Sequence, residues 1–234
     1  MKNKQLFLHN TITGTYLLPE PRTDHVLQTI INNGIHDYPV INEIMKYAGR
    51  NSTVLDLGSN FGQMSVMLSK HVNQGGHVFA FEADPWIYNV LLRNLRLNKC
   101  DNCTAIFGAV WDLNDEILIY PDDDLVKYES FGSYGIDMTS NDGLYIPSIT
   151  IDSLELDNVS VMKVDVQGAD LRAMKGAINT IKKYKPTIIF EYEPNLDAMF
   201  STSWQDYLDF IQSIDYEIID KVSAVNLVIK PRNS

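Results

Sequence analysis

Three carboxylates and a pair of glycines carry the chemical signal of this chain. Val54-Leu-Asp-Leu-Gly-Ser-Asn-Phe-Gly62 sets Asp56 two residues ahead of Gly58, with Gly62 closing a G-x-x-x-G loop. Glycine permits a tight reversal and lets backbone approach a ligand closely. Glu82 ends the apolar run from His77, and 82 − 62 places it 20 residues past the second glycine. Sites of this α/β type put an acid on ribose hydroxyls at that distance. A second run, Val159-Ser-Val-Met-Lys-Val-Asp165, ends in another aspartate and is followed by Val166-Gln-Gly168.

The spacing argues about which nucleotide is bound. A dinucleotide fingerprint reads G-x-G-x-x-G and brings a helix N-terminus to a pyrophosphate. Here a carboxylate precedes a wider glycine spacing; it would repel pyrophosphate and attract an ammonium or a sulfonium. S-adenosylmethionine carries both cations, a ribose and no phosphate, and the electrostatics favour it as cofactor. The plain alternative is an ordinary strand-to-helix turn. On the functional reading Asp56 faces the positive amino-acid end and Glu82 the ribose. The loop Gly58, Ser59, Asn60 and Gly62 supplies backbone to the cofactor, Ala83 adjoins the ribose, and Gly108 with Ala109 lies near the adenine.

These residues need a scaffold of alternating strands and helices, and the periodicities supply one. Thr53 to Leu57 is a strand, and Met64, Val66, Met67 and Leu68 suit the helix after it. Asp84 caps a helix that starts at Pro85 and buries Ile87, Val90, Leu91 and Leu95. Asn94 and Asn98 read as polar-face or C-terminal residues of that helix, not as ligands. Thr104 to Phe107 is a third strand. Val159 to Asp165 is a fourth, with Val161, Lys163 and Asp165 on one face. One helix is expected to carry Leu171, Met174, Ile178 and Ile181 inward. Pro186 to Phe190 forms a fifth strand ending in Glu191-Tyr-Glu193; a helix at Trp204 to Ile211 and a hairpin of Tyr216 to Ile219 with Val225 to Ile229 close the chain.

Residues 1–50 precede the cofactor strand, with a small hairpin around Thr13-Gly14 and a helix from Pro39 packing on the core. His36-Asp37-Tyr38 ahead of that helix reads as its cap, with His36 as a base the alternative. Residues 51–234 form the catalytic domain, interrupted near 112–150 by an inserted β segment. Substrate contacts belong naturally on such an insertion, in Phe131-Gly-Ser-Tyr-Gly-Ile136 for example. The run Pro121-Asp-Asp-Asp124 reads as solvated surface.

Bulk composition narrows the function classes. With 45% hydrophobic and 21% charged residues among 234, the chain suits one soluble globular α/β domain with added elements. A formal net charge of −11 argues against a nucleic-acid backbone or an anionic membrane as the main partner. No apolar run approaches a membrane span and the N-terminus lacks a signal-peptide core, so a cytoplasmic location is expected. Cys100-Asp-Asn-Cys103 follows a helix instead of opening one, and no further ligands accompany it. Neither a redox pair nor a metal site is expected there or elsewhere.

Taken together, VLDLGSNFGQMS, VFAFEADP, ITIDSLEL, VMKVDVQGADLRAMKGA and KPTIIFEYEP resemble the FkbM-type methyltransferases, over roughly residues 34 to 230. The resemblance implies a Rossmann-like methyltransferase fold: a mostly parallel seven-stranded sheet with an antiparallel last strand and helices on both faces. It further implies methyl transfer from S-adenosylmethionine, usually to a hydroxyl of a sugar, glycan or natural product. Asp165 is the candidate for orienting or deprotonating that acceptor, with Glu191 behind it; pure cofactor binding or an ion pair of Asp165 with Lys163 is the competing role. The family commonly reads D-V-E-G-x-E where this chain has Asp165-Val-Gln167-Gly168-Ala-Asp170, which removes one charge and shortens another side chain. N- or protein methylation on the same scaffold, and a non-catalytic cofactor-binding subunit, are the rival readings.

Overall fold

The computed structural model describes residues 5–232 apart from 22, 74 and 123–129. Two N-terminal strands, β1 (Leu6–Asn10) and β2 (Thr15–Pro19), pair antiparallel around the Thr11–Gly14 turn. Helices α1 (His25–Ile31) and α2 (Tyr38–Tyr47) lead to β3 (Thr53–Leu57). There follow α3 (Gln63–Val72), β4 (His77–Glu82), α4 (Pro85–Leu97) and β5 (Cys103–Phe107). The short strands β6 (Ala109–Val110), β7 (Ile117–Tyr120) and β8 (Leu144–Ile149) form a separate small sheet. The chain then resumes with β9 (Val159–Val164), α5 (Asp170–Lys175), α6 (Ile178–Tyr184) and β10 (Thr187–Glu191). It ends with α7 (Asp197–Phe200), α8 (Trp204–Ser213) and the hairpin of β11 (Tyr216–Lys221) and β12 (Asn226–Pro231).

Among the described residues the main sheet has seven strands in the order β11-β12-β10-β9-β3-β4-β5. Its pairings are parallel except those made by β12, the last strand in the chain. Alternation along each central strand feeds two apolar layers. Leu55, Leu57, Met162, Val164 and Ile188 pack against Leu171, Met174, Ile181, Tyr207 and Ile211 on one face. Val54, Val78, Val161 and Ile189 meet Val40, Ile41 and Ile44 of α2, with Leu68 and Val72 of α3, on the other. Buried on both faces, these strands read as near-continuous apolar runs, as parallel strands do.

The first 50 residues share this core. Tyr16, Leu18, Leu27 and Ile30 are buried in one cluster with Phe61, Leu91 and Phe131. Asn94 fastens the hairpin: its amide accepts from Leu17 N at 2.7 Å and donates to Leu17 O at 3.2 Å and Phe61 O at 2.9 Å. Asn98 does the same for Thr15. Both asparagines thus act as an edge for β2 to pair with, a role no local pattern reveals.

Two local expectations need correction. The single helix expected over Leu171 to Ile181 is two, α5 and α6, with Gly176 between them; a Cβ there would stand 1.9 Å from the Trp111 carbonyl oxygen, so glycine is what lets the break pack against that segment. The chain turns there, and Asp152 accepts from Asn179 N and Thr180 N to cap the second piece. Helix α1 was not expected at all, although Asp24 supplies a cap by accepting from Leu27 N at 2.9 Å. Most of the acidic run, Asp123 and Asp124 included, lies outside the described residues. No helix among the described residues is long and apolar enough to cross a membrane.

Candidate active site

Strand order reverses between β3 and β9, and open α/β sheets bind ligands in the crevice beyond the strand ends at such a point. A cavity of about 350 Å³ opens there. Its wall brings together Gly58, Ser59, Asn60, Gly62, Glu82, Ala83, Gly108, Ala109, Asp165 and Glu191. Residues far apart in the chain meet because every one lies at or just beyond the carboxyl end of a parallel strand.

The glycine loop is held by its neighbours. The N–H groups of Gly58 and Ser59 both donate to Phe81 O, and Ser59 Oγ donates to Asp56 O. Gly58 has φ +80, and a Cβ there would stand 1.9 Å from the Asp165 carbonyl oxygen. Only glycine lets the ends of β3 and β9 come this close. Glu82 ties the loop to β4: one carboxylate oxygen accepts from Asn60 N at 2.8 Å, the other from Asp84 N at 2.8 Å. Burial nevertheless pushes the Glu82 carboxyl up to about 7.

Asp56 does not reach the cavity, and its expected contact with a cofactor ammonium is corrected accordingly. As the fourth residue of a strand covered on both faces, it lies beneath the loop and is fully buried. Its charge is spent inside the protein. Ser65 Oγ donates to one carboxylate oxygen, and Lys163 Nζ stands 3.4 Å from the other. Parallel pairing of β3 with β9 aligns Asp56 with Lys163, so register alone makes the pair. Lys163 also lies 3.2 Å from Asp165 and donates to Gly58 O at 2.8 Å. Burial works against its ammonium, but the charges of Asp165 and Asp56 outweigh it and hold the pKa above the ordinary lysine value.

Asp165 therefore faces the cavity while paired with Lys163, so both roles expected of it are compatible with its position. Gln167 Nε2 bridges it to Glu191, at 3.2 Å to Asp165 and 3.1 Å to Glu191. A glutamate at 167 would crowd a third carboxylate between two others; the amide joins them. Burial, then the charges of Asp165, Asp170 and Glu193, pushes Glu191 far above the usual carboxylate range. In its bond with Gln167 the Glu191 carboxyl is the acceptor. Asp170 is fully buried with one unpartnered carboxylate oxygen, and burial likewise raises it.

The opposite wall comes from the N-terminal segment and the insertion. His25, His36 and Asp37 line the cavity with Tyr120, Phe131 and Tyr134. Asp24 latches the two together: its second carboxylate oxygen accepts from Phe131 N at 2.7 Å and Ser130 Oγ at 3.1 Å. Sequence reasoning had flagged the 131–136 loop but not Asp24, whose partner lies 107 residues away. Asp37 stands at the N-cap position of α2 yet makes no cap bond; its carboxylate lies 3.1 Å from His36 Nε2. The cap reading of this cluster is corrected. At the helix–strand corner, burial pushes the Cys100 and Cys103 thiols up, so neither is a thiolate at neutral pH.

A profile of the methyltransferase FkbM domain matches residues 56–218. The ribosomal protein L11 methyltransferase of Clostridium perfringens is 27% identical over 135 residues, 53% of this chain and 42% of that protein. The hexuronic acid methyltransferase AglP of Haloferax volcanii is 27% identical over 153 residues, 64% of this chain and 60% of that protein. The chain thus spans only part of the length of each relative. Among solved structures, a methyltransferase FkbM from Methylobacillus flagellatus superposes with a TM-score of 0.54 at 18% identity, covering 91% of this chain and 55% of that one.

Proposed function

Because the chain belongs to the FkbM methyltransferase family, we propose that it transfers the methyl group of S-adenosylmethionine to a hydroxyl of a sugar, glycan or natural product. The observation that carries this reading is the two-sided cavity at the strand switch. One side offers the backbone of the glycine loop and the Glu82 carboxylate, suited to a ribose diol. The other offers Asp165, Glu191 and the aromatic rings of the insertion, suited to a polyhydroxylated ring. The volume lies within the range of small-ligand sites. Acidic walls also suit a cofactor that carries a sulfonium and an ammonium and no phosphate.

When bound, S-adenosylmethionine supplies an electrophilic methyl carbon. The protein's work is to hold the acceptor oxygen in line with it, since positioning supplies much of the rate. Asp165 accepts a hydrogen bond from the acceptor, with Glu191 behind it. The acid-rich wall, Asp37, Asp165 and Glu193 included, disfavours an anionic acceptor. Tritium transfer from labelled S-adenosylmethionine to methyl α-glucopyranoside, methyl α-rhamnopyranoside, glycerol and glucuronic acid tests this. Labelling of a neutral alcohol above glucuronic acid is the expected result. Labelling of amines alone, with glucosamine and a lysine peptide as probes, would replace the reading with N-methylation.

Glu82 gives the cofactor reading a pH signature. Hydrogen bonds from a ribose diol favour the carboxylate over the neutral acid. With the free carboxyl at about 7, affinity for S-adenosylhomocysteine should be full above that pH and fall roughly tenfold per unit below it. Stability of the ligand-free protein runs the other way. A raised folded pKa favours the protonated form, so this group's contribution is full below the ordinary carboxylate range and is lost as pH rises through about 7. The thermal shift caused by S-adenosylhomocysteine should therefore grow across that window. Glu82→Gln should weaken binding about tenfold above it, the loss of a charged hydrogen bond, and flatten the dependence. Calorimetry across the pH range reads both effects.

A further inference from the structure

The proton of the acceptor hydroxyl needs a destination, and the groups expected to take it are engaged elsewhere. Asp165 is held by Lys163 and Gln167, Glu191 accepts from Gln167, and both oxygens of Glu82 accept from backbone N–H groups. His36 is different. It lines the cavity, Asp37 engages its Nε2, and its Nδ1 has no partner among the described residues. Its backbone N donates to Gln63 Oε1 at 2.9 Å, and Gln63 Nε2 donates to Gly34 O at 2.9 Å. Gln63 opens α3 directly after the glycine loop. The histidine is thus anchored to the element that forms the cofactor side of the cavity.

Asp37 bears a conformational cost to sit where it does. It adopts φ 48 and ψ 44, left-handed backbone that a non-glycine residue rarely takes, and it leaves the N-terminus of α2 without a side-chain cap. Aspartate is among the residues that tolerate this conformation, and eleven other non-glycine residues of the described chain also take a positive φ. What Asp37 gains is the bond to His36. That bond, helped by the charges of His36, Lys163 and His25, outweighs burial and holds its carboxyl below the ordinary range. A carboxylate fixed on one ring nitrogen sets the tautomer and leaves the other as an acceptor, the logic of an Asp–His base.

We propose that His36, oriented by Asp37, is the general base that accepts the proton of the acceptor hydroxyl at Nδ1. The inference rests on the hydroxyl reading above and extends it to residues outside the matched family segment, which begins at residue 56. In the balanced step the hydroxyl proton passes to Nδ1 and leaves an imidazolium beside the Asp37 carboxylate. The oxygen lone pair forms the bond to the methyl carbon while the carbon–sulfur bond breaks, its electron pair remaining on sulfur as a neutral thioether. The imidazolium then returns its proton to solvent.

Two measurements test it. Nitrogen-15 spectra of the histidines, recorded where the rings are neutral, should show His36 as the Nε2–H tautomer, with that preference weakened in Asp37→Asn. A wild-type Nδ1–H tautomer would overturn the proposal without any acceptor being known. For turnover, tritium transfer is measured to methyl α-glucopyranoside, methyl α-rhamnopyranoside and glycerol. His36→Ala should lower kcat about a hundredfold, leave the Kd for S-adenosylhomocysteine unchanged, and regain part of its rate with free imidazole. The backbone bond to Gln63 survives in that variant, so folding is retained. Wild-type kcat in His36→Ala overturns this inference alone. Binding of S-adenosylhomocysteine by the wild type with no labelling of any of the alcohols overturns the hydroxyl reading, and the inference falls with it.

Discussion

Replacing Lys163 with methionine is expected to lower the free energy of unfolding by about 3–5 kcal/mol, the cost of leaving one member of a buried ion pair unpaired. Lys163 is nearly fully buried between Asp56 and Asp165, and its ammonium also satisfies the carbonyl of Gly58. Methionine fills much of the same volume, so packing loss is small and the electrostatic loss dominates. Asp56 would keep only its bond from Ser65, at a fully buried position. Urea denaturation measures the change. Adding Asp56→Asn to Lys163→Met should recover part of it, because the charge left behind is removed. Equal stability of Lys163→Met and the wild type would show that the pair does not hold the two strands together.

Asp165→Asn should leave the fold intact and cut turnover about a hundredfold at saturating S-adenosylmethionine, the scale of a misplaced acceptor. The amide keeps the shape and reach of the side chain but no longer balances Lys163 with a second carboxylate. Asp56 still does, which is why stability should change far less than in Lys163→Met. Affinity for S-adenosylhomocysteine should change only a few-fold. The assay uses whichever neutral alcohol the wild type labels best. Loss of cofactor affinity with rate restored at high cofactor would assign Asp165 to cofactor binding. Near wild-type turnover would remove it from the acceptor side, leaving His36 and its partner to be judged on their own variants. A joint reading of Asp165→Asn and His36→Ala separates positioning from proton transfer: imidazole should rescue only the second.

Local pattern was enough to determine the order of strands and helices and the glycine-loop side of the cavity. Apolar runs bounded by glycine and by Asp84-Pro85 give strands and helices in order, and the G-x-x-x-G spacing with Glu82 marks the loop and the acid that line the cavity. Such signals survive in sequence because they depend on neighbours a few residues away. Tertiary structure decided the rest. Asp56 reads as a ligand of a cation, and it is one, but the cation is Lys163, brought opposite by strand register across 107 residues (163 − 56). His36-Asp37 reads as a helix cap because caps are local. Only the folded chain shows the aspartate turned away from the helix onto the imidazole, on the wall of a cavity whose other side begins 22 residues later at Gly58 (58 − 36). A charge seen in sequence announces that a partner is needed; which partner it finds is a matter of register, burial and distance, and those exist only once the chain has folded.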